Sequence, residues 1–226
     1  MTNAALIVAA GRGSRMMRDT PKQYLPLAGH AVLWHTVQAF LASSDIDRVC
    51  VVIHPEDRAL YDAAVAGIDD VRLAEPVSGG ASRAASVRLG LEALQTDRPD
   101  HVLIHDAARP FCSPDLIAAV LAPLAEVGGA FAALPVVDAL WKAEGSEALT
   151  PVSREGLWRA QTPQGFRYAA ILAAHANGDA DAADDVETAR KAGLTVHVVE
   201  GSEDNFKITL PRDLARARLL IADRRH

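Results

Sequence analysis

The feature that most constrains this chain is a set of short runs that are apolar throughout rather than at every second residue. They are "AALIVAA" (4–10), "RVCVVIH" (48–54), "VRLAEP" (71–76), "HVLIHD" (101–106), "GAFAALPVV" (129–137) and "LTVHVVEG" (194–201). A strand with one wet face alternates apolar and polar residues, so an unbroken run marks a strand covered on both faces. Between these runs lie "VLWHTVQAFLAS" (32–43), "PEDRALYDAAVAG" (55–67), "ASRAASVRLGLEALQ" (81–95) and "SPDLIAAVLAPLAEVG" (113–128), which carry helical periodicity. Ser113 before Pro114 pairs an N-cap with proline at the first helical position. The alternation predicts an α/β fold, a mostly parallel sheet with helices on both faces. With no repeat or linker in 226 residues, a single domain over 1–226 is expected.

One stretch breaks the rhythm. "DALWKAEGSEALTPVSREGLW" (138–158) has two partly apolar arms around a Glu-Gly-Ser turn and is expected to project as a β-hairpin. An isolated hairpin is marginal in water. Leu140, Trp141 and Leu157 or Trp158 therefore need a partner, either a second copy of the chain or the hairpin's own domain.

Composition excludes several functions. The formal net charge of -6 argues against broad binding to nucleic acid or anionic membrane, so any anion site must be a local cluster. No apolar stretch approaches the ~18–20 residues that span a bilayer. The first apolar run lacks a basic segment before it and leads into glycines, unlike a signal peptide. Cys50 and Cys112 sit outside any CxxC or Cys/His pattern, so no disulfide framework is expected and a cytoplasmic location fits.

The local cluster is at hand. In "AALIVAAGRGSRMMRDTPKQYLPL" (4–27), Arg12, Arg15, Arg18 and Lys22 follow the first strand of an acidic protein. Gly11 and Gly13 permit close backbone approach, and free amides there can cradle phosphate oxygens. The loop lacks the third glycine of a dinucleotide fingerprint (Met16 stands there) and the GK[ST] of a P-loop. Pro21 stiffens the chain before Lys22, so that Arg15 and Lys22 can converge on one polyphosphate; a solvated arginine-bearing turn is the plain alternative. In "HDAARPF" (105–111), Asp106 ends an apolar strand beside the expected cleft, where it can bind a hydroxyl, help place Mg²⁺ through water, or pair structurally with Arg109. His105 is expected to be a packed strand end. The acids of "GDADAADDVETARKAG" (178–193), including Asp181, Asp184 and Asp185, suit a helix start better than a metal site. "PRDLARARLLIADRRH" reads as an amphipathic helix opened by proline.

"AAGRGSRM…PKQYL", "GGASRAASVRLGL" (79–91), "HDAARPF", "REGLWRAQTPQGF" (154–166) and "DNFKITLPRDL" (204–214) occur in this order, and together they resemble the 2-C-methyl-D-erythritol 4-phosphate cytidylyltransferases nearly end to end. The resemblance implies a Rossmann-like nucleotidyltransferase domain whose hairpin is a dimerisation arm exchanged in a homodimer. It implies transfer of CMP from CTP to 2-C-methyl-D-erythritol 4-phosphate, with pyrophosphate released and Mg²⁺ or another divalent cation bound mainly through the CTP phosphates. By the same resemblance, Arg15 and Lys22 stabilise the transition state, and Arg154 (from the neighbouring subunit) and Lys207 orient the substrate phosphate. Ala9, Ala10, Gly11, Gly13, Gly80, Ser86, Asp106 and Ala107 contact the nucleotide, and Asp106 and Arg109 the polyol phosphate. From the residues alone, Gly79 and Gly80 also read as a glycine turn with Ser82 as helix cap. Two departures stand out: Ala81 replaces a frequent acidic residue, and Ala139 a frequent threonine.

Two rivals remain open in the sequence. A ribitol 5-phosphate cytidylyltransferase has similar loop motifs, and "HDAARPF" favours the erythritol substrate over it. A non-catalytic nucleotide-binding regulator on the same fold would be expected to lack Arg15, Lys22 or Lys207, and all three are present.

Overall fold

A computed structural model of the chain describes residues 1–12, 20–178 and 182–224. In chain order its strands are β1 (Asn3–Ala9), β2 (Pro26–Leu27), β3 (His30–Ala31), β4 (Arg48–Ile53), β5 (Val77–Ser78), β6 (His101–Asp106), β7 (Gly129–Pro135), β8 (Leu140–Glu144), β9 (Glu147–Val152), β10 (Trp158–Arg167) and β11 (Val196–Glu200). The helices are α1 (Val32–Leu41), α2 (Arg58–Val65), α3 (Arg83–Ala93), α4 (Pro114–Leu121), α5 (Tyr168–Asn177), α6 (Asp185–Lys191) and α7 (Pro211–Asp223). Seven strands form one sheet in the order β11-β7-β10-β6-β1-β4-β5.

The unbroken apolar runs do what two-sided burial requires. Ala5, Ile7 and Ala9 of β1 join Leu33, Val37 and Phe40 of α1 and Ile117 and Val120 of α4 on one face. Ala4 and Leu6 join Val87 and Leu91 of α3 and Ile171 of α5 on the other. Each fully buried Leu, Ile or Phe contributes about 1.5–3 kcal/mol, so both layers hold the sheet. A smaller cluster of Leu25, Leu27, Val32, Phe111 and Ile208 seats Leu214 and Ala217 of α7. Among the described residues, no helix is long and apolar enough to cross a membrane.

The topology sets where a ligand can sit. β1 pairs in parallel with β4 on one side and β6 on the other. The loops leaving the carboxyl ends of β1 and β6 therefore diverge, which opens the crevice used for ligands in such sheets.

Two segments differ from the sequence expectation. Residues 71–76 form a turn with a single bridge, Leu73 to Val49, and the strand is the short β5 that follows. The backbone N–H of Arg72 donates to Asp70 Oδ1 at 2.9 Å, and its guanidinium donates to the carbonyls of Leu41, Ser43 and Ile46. These local bonds bend the segment away from an extended ladder. The second difference is β10, a ten-residue strand that runs antiparallel to both β6 and β7. Beside the core residue Phe166 it buries the polar Gln161, Thr162 and Gln164, and Pro163 falls in a register shift between Ala160 and Gln164. Gly165 is required there because a Cβ would meet Leu103 Cδ2 and Val120 Cγ1 at 2.8 Å.

The hairpin forms as expected. β8 and β9 pair antiparallel in a sheet of their own. Trp141, Leu149, Leu157 and Trp158 stay exposed, so the hairpin does not fold back onto its own domain.

Candidate active site

A cavity of about 510 Å³ lies above the carboxyl ends of β1 and β6, within the range of small-molecule sites. Ala9, Ala10 and Gly11 form the floor from β1, Asp106 and Ala107 come from β6, and Gly80 and Ser86 from the start of α3. Lys22 and Lys207 also line it. Nine of the expected site residues, separated by up to 198 positions, are thus brought to one hollow. Gly13 and Arg15 lie outside the described residues, as does Asp181.

Local chemistry explains how each wall is built. Lys22 opens a single 3-10 turn directly after Pro21, whose φ of -59° is fixed by its ring. Gln23 follows and is buried; its Nε2 donates to the carbonyls of Ala9 at 2.6 Å and Gly11 at 3.1 Å. That side chain ties the lysine turn to the end of β1. The start of α3 forms the glycine turn and helix cap read from "GGASRAAS". Ser82 Oγ accepts from the Ala85 N–H at 3.1 Å as a helix cap, and the same turn forms a wall of the cavity. Gly80 is obligatory because a Cβ would lie 2.7 Å from that of Ala85. Its N–H donates to Ser86 Oγ at 3.1 Å, and Ser86 Oγ donates to the Ser82 carbonyl at 2.9 Å.

Asp106 is the electrostatic centre. Its side chain is only 14% exposed, with Lys207 Nζ 2.7 Å from Oδ2. Arg83 Nε stands 3.8 Å from Oδ1 and Arg109 Nε 3.8 Å from Oδ2. Burial alone would raise the carboxyl pKa, but Lys207, Arg83 and Arg109 outweigh it and hold the group well below the usual carboxylate range. Arg109 is not among the residues that line the cavity, and its Nη1 donates to the Asn205 carbonyl at 2.7 Å. The 3.8 Å approach to Asp106 fits a structural ion pair, and contact with the polyol phosphate stays what the resemblance implies for Arg109.

Behind this carboxylate, His105 is buried and neutral, with its pKa pushed down to about 4 chiefly by desolvation. Nε2–H donates to the Arg109 carbonyl at 3.0 Å, which leaves Nδ1 to accept from the Thr162 hydroxyl at 3.1 Å. Thr162 Oγ1 in turn accepts from the Asp106 N–H at 3.1 Å. His105 is therefore a hydrogen-bonded strand end, as its sequence suggested.

Of the other wall residues, His54 and Arg83 carried no sequence signal of their own, whereas Arg12 belongs to the cation cluster after β1. Arg12 and His54 line the rim, with Arg12 Nη1 donating to Asp57 at 2.8 Å and Nη2 to His54 Nδ1 at 2.7 Å. Arg83 lines the cavity beside Asp106. Arg12, Lys22, Arg83 and Lys207 share the wall with one lining carboxylate, Asp106, and although Arg12 is paired at the rim with Glu56 and Asp57, the lining is cationic in a protein of net charge -6. A doubly or triply charged anion suits it.

Arg154 is placed elsewhere. It sits beyond the hairpin, exposed, and its guanidinium donates to the Val137 carbonyl. Its own chain does not bring it to the cavity.

A divalent cation would find few protein ligands. Among the described residues no three His, Cys, Asp or Glu side chains group as a metal site, and Asp106 is the single carboxylate on the wall. Asp184, by contrast, caps α6 through Glu187 N–H at 3.0 Å, the helix-start role read from the sequence. One hard oxygen donor fits Mg²⁺ held mostly by a ligand's phosphates and water.

The model of the 2-C-methyl-D-erythritol 4-phosphate cytidylyltransferase family matches residues 3–223. The chain belongs to that family. It is 55% identical over 222 residues to a curated protein of that name from Cereibacter sphaeroides, covering 98% of each chain. It is 52% identical over 216 residues to a bifunctional enzyme of Paramagnetospirillum magneticum, of which it covers 56%. A crystal structure of 4-diphosphocytidyl-2C-methyl-D-erythritol synthase superposes with TM-score 0.85 at 32% identity, over 98% of this chain and 100% of that one. The Thermus thermophilus family member aligns with TM-score 0.78 at 35% identity, over 96% and 98%. The ribitol and regulator rivals are set aside by this membership, and the protein is a cytidylyltransferase.

The neutral state of His105 has a measurable consequence. In the unfolded chain its proton binds near 6.5, in the folded one near 4. Between those values the unfolded state holds the extra proton, so stability falls as pH drops through the window, by up to about 1.4 kcal/mol per pH unit. Denaturation of wild type and His105→Gln from pH 7 to 4 should show a shallower decline in the variant. Equal slopes would contradict a neutral buried His105.

Proposed function

We propose that this cytidylyltransferase works by in-line attack of the phosphate oxygen of 2-C-methyl-D-erythritol 4-phosphate on the α-phosphorus of CTP. One P–O bond forms to the acceptor phosphate, the bond to the β-phosphate breaks, and pyrophosphate leaves with the electron pair. The observation that carries this reading is the cationic cavity at the β1/β6 crevice, in a chain 55% identical to a protein of that name.

Such a reaction asks the protein mainly for positioning and charge stabilisation. In our reading Ala9, Ala10 and Gly11 hold the triphosphate close to backbone, and Gly80 and Ser86 border the cytosine. Lys22, with Arg15, meets the negative charge that builds on the α-phosphorus and leaving group. Lys207, steadied by Asp106, holds the acceptor phosphate. Bound Mg²⁺ would neutralise triphosphate charge, with Asp106 the one carboxylate that the described residues place on the wall. Two buried free cysteines suit the reducing cytoplasm we propose as its setting.

Arg154 serves, in this proposal, the site of a partner chain. Exposed Trp141, Leu149, Leu157 and Trp158 support a homodimer in which hairpins cross the two-fold axis. The arginine that its own chain leaves idle then completes the neighbour's site.

Two experiments test this account. Pyrophosphate release should require both CTP and 2-C-methyl-D-erythritol 4-phosphate. Lys22→Ala should cut kcat by about 10²–10³, with a smaller change in the KM for CTP, because the charge acts on the transition state. Unchanged kcat with weakened CTP binding would reduce Lys22 to a ground-state ligand. Mixing inactive Lys22→Ala and Arg154→Ala chains tests the dimer. After subunit exchange, about half the dimers are mixed and each has one intact site, so activity should return to about a quarter of wild type. No recovery would mean that Arg154 serves its own chain or none.

A further inference from the structure

We propose that Arg83 is a further binding residue of the site, placed to grip a substrate hydroxyl together with Asp106, and that Asp185 and Gln164 are the positioning residues that hold it. The inference rests on the transfer reading and adds a recognition element to it.

The far end of Arg83 is fixed in the protein interior. Nη2 donates to Asp185 Oδ2 at 2.7 Å, across 102 residues of sequence. Asp185 is 1% exposed. Burial disfavours its charge, but His175 and Arg83 prevail and keep its carboxyl below the usual range. His175 Nε2 stands 3.2 Å from Oδ1, in ion-pair range but without hydrogen-bond alignment. Gln164 then anchors the carboxylate's backbone. Its Oε1 accepts from the N–H groups of Asp185 at 3.1 Å and Val186 at 3.2 Å, while Nε2 donates to Asp184 Oδ2 at 3.1 Å. Gln164 belongs to β10 and pairs with Ile104 of β6, the strand that ends in Asp106. Arg83 and Asp106 are thus referenced to the same pair of strands.

The near end is left open. A guanidinium dedicated to a carboxylate sits at about 2.7–2.9 Å, often with two parallel bonds. Arg83 Nε is instead 3.8 Å from Asp106 Oδ1, and Arg83 lines the cavity. An oxygen about 2.8 Å from both atoms closes the triangle with ordinary hydrogen bonds. It must accept from Nε–H and donate to Oδ1. A hydroxyl can do both, whereas a phosphate oxygen cannot donate and would be repelled by the carboxylate. Both the acceptor polyol and the ribose of CTP carry hydroxyls, and kinetics with each substrate varied tell them apart.

The test is steady-state transfer by Arg83→Met, Asp185→Asn and the double variant, with thermal unfolding as a check on folding. Arg83→Met should raise the KM of the substrate that supplies the hydroxyl by about 10- to 100-fold, the range for losing a charge-assisted hydrogen bond. The other substrate's KM should stay within about twofold. Asp185→Asn should move the same KM by less. The double variant should be no worse than Arg83→Met, because Asp185 acts through Arg83. If the single variants fold poorly, as unpairing a buried charge can cause, the double variant carries neither charge and keeps the KM comparison. Unchanged KM values, equal rises in both, or additive effects of the two substitutions would overturn the assignment. A wild type that transfers to no polyol phosphate would overturn the transfer reading instead.

Discussion

A carboxylate with 14% of its side chain exposed survives in ionised form only if nearby cations repay its lost hydration, and around Asp106 three do so. They come from separate parts of the chain: Arg83 opens α3, Arg109 follows β6, and Lys207 stands between β11 and α7. Each would repel the others without the shared anion. Asp106 therefore sets the distance between the helix on one side of the crevice and the C-terminal segment on the other, and the cavity takes its width from that.

β10 holds the arrangement from behind. Gln161 Oε1 accepts from Ser202 N–H at 3.3 Å and Asn205 Nδ2 at 3.2 Å, which fixes the loop that leads to Lys207. Gln164 fixes the start of α6, which leads to Asp185 and Arg83. Thr162, between them, accepts from the Asp106 backbone. A polar strand in the middle of a sheet is costly unless every group is paired. Here the pairing is what orients the cations, so the polar residues act as a frame for the site and do not weaken the core.

The same fact decides what could be read in the sequence. β1, β4, β6 and β7 announced themselves by apolar runs that the fold buries on both faces, and β11 by a similar run although, as an edge strand, it leaves Val198 exposed. β10 did not, because Gln161, Thr162, Pro163 and Gln164 resemble a loop until their partners are known. "VRLAEP" misled in the opposite sense: its composition suits a strand, but Asp70 and Arg72 bend it into a turn. The glycine loop, Lys22 and Asp106 were legible because local residues explain them. Arg83 was not, since its partner lies 102 positions away. Arg109 was legible as a charge beside Asp106 but not in its bond to the Asn205 carbonyl, 96 positions away.

The central claim is that Asp106 is held ionised by its ring of cations, and carboxyl-carbon NMR titration tests it most directly. With Asp106 isotopically resolved, its resonance should stay in the ionised position through the ordinary carboxylate range until the fold is lost. In Lys207→Met, which removes the cation at 2.7 Å, the titration should move up. An Asp106 that titrates like an exposed aspartate in the wild type, unmoved by Lys207→Met, would contradict the account.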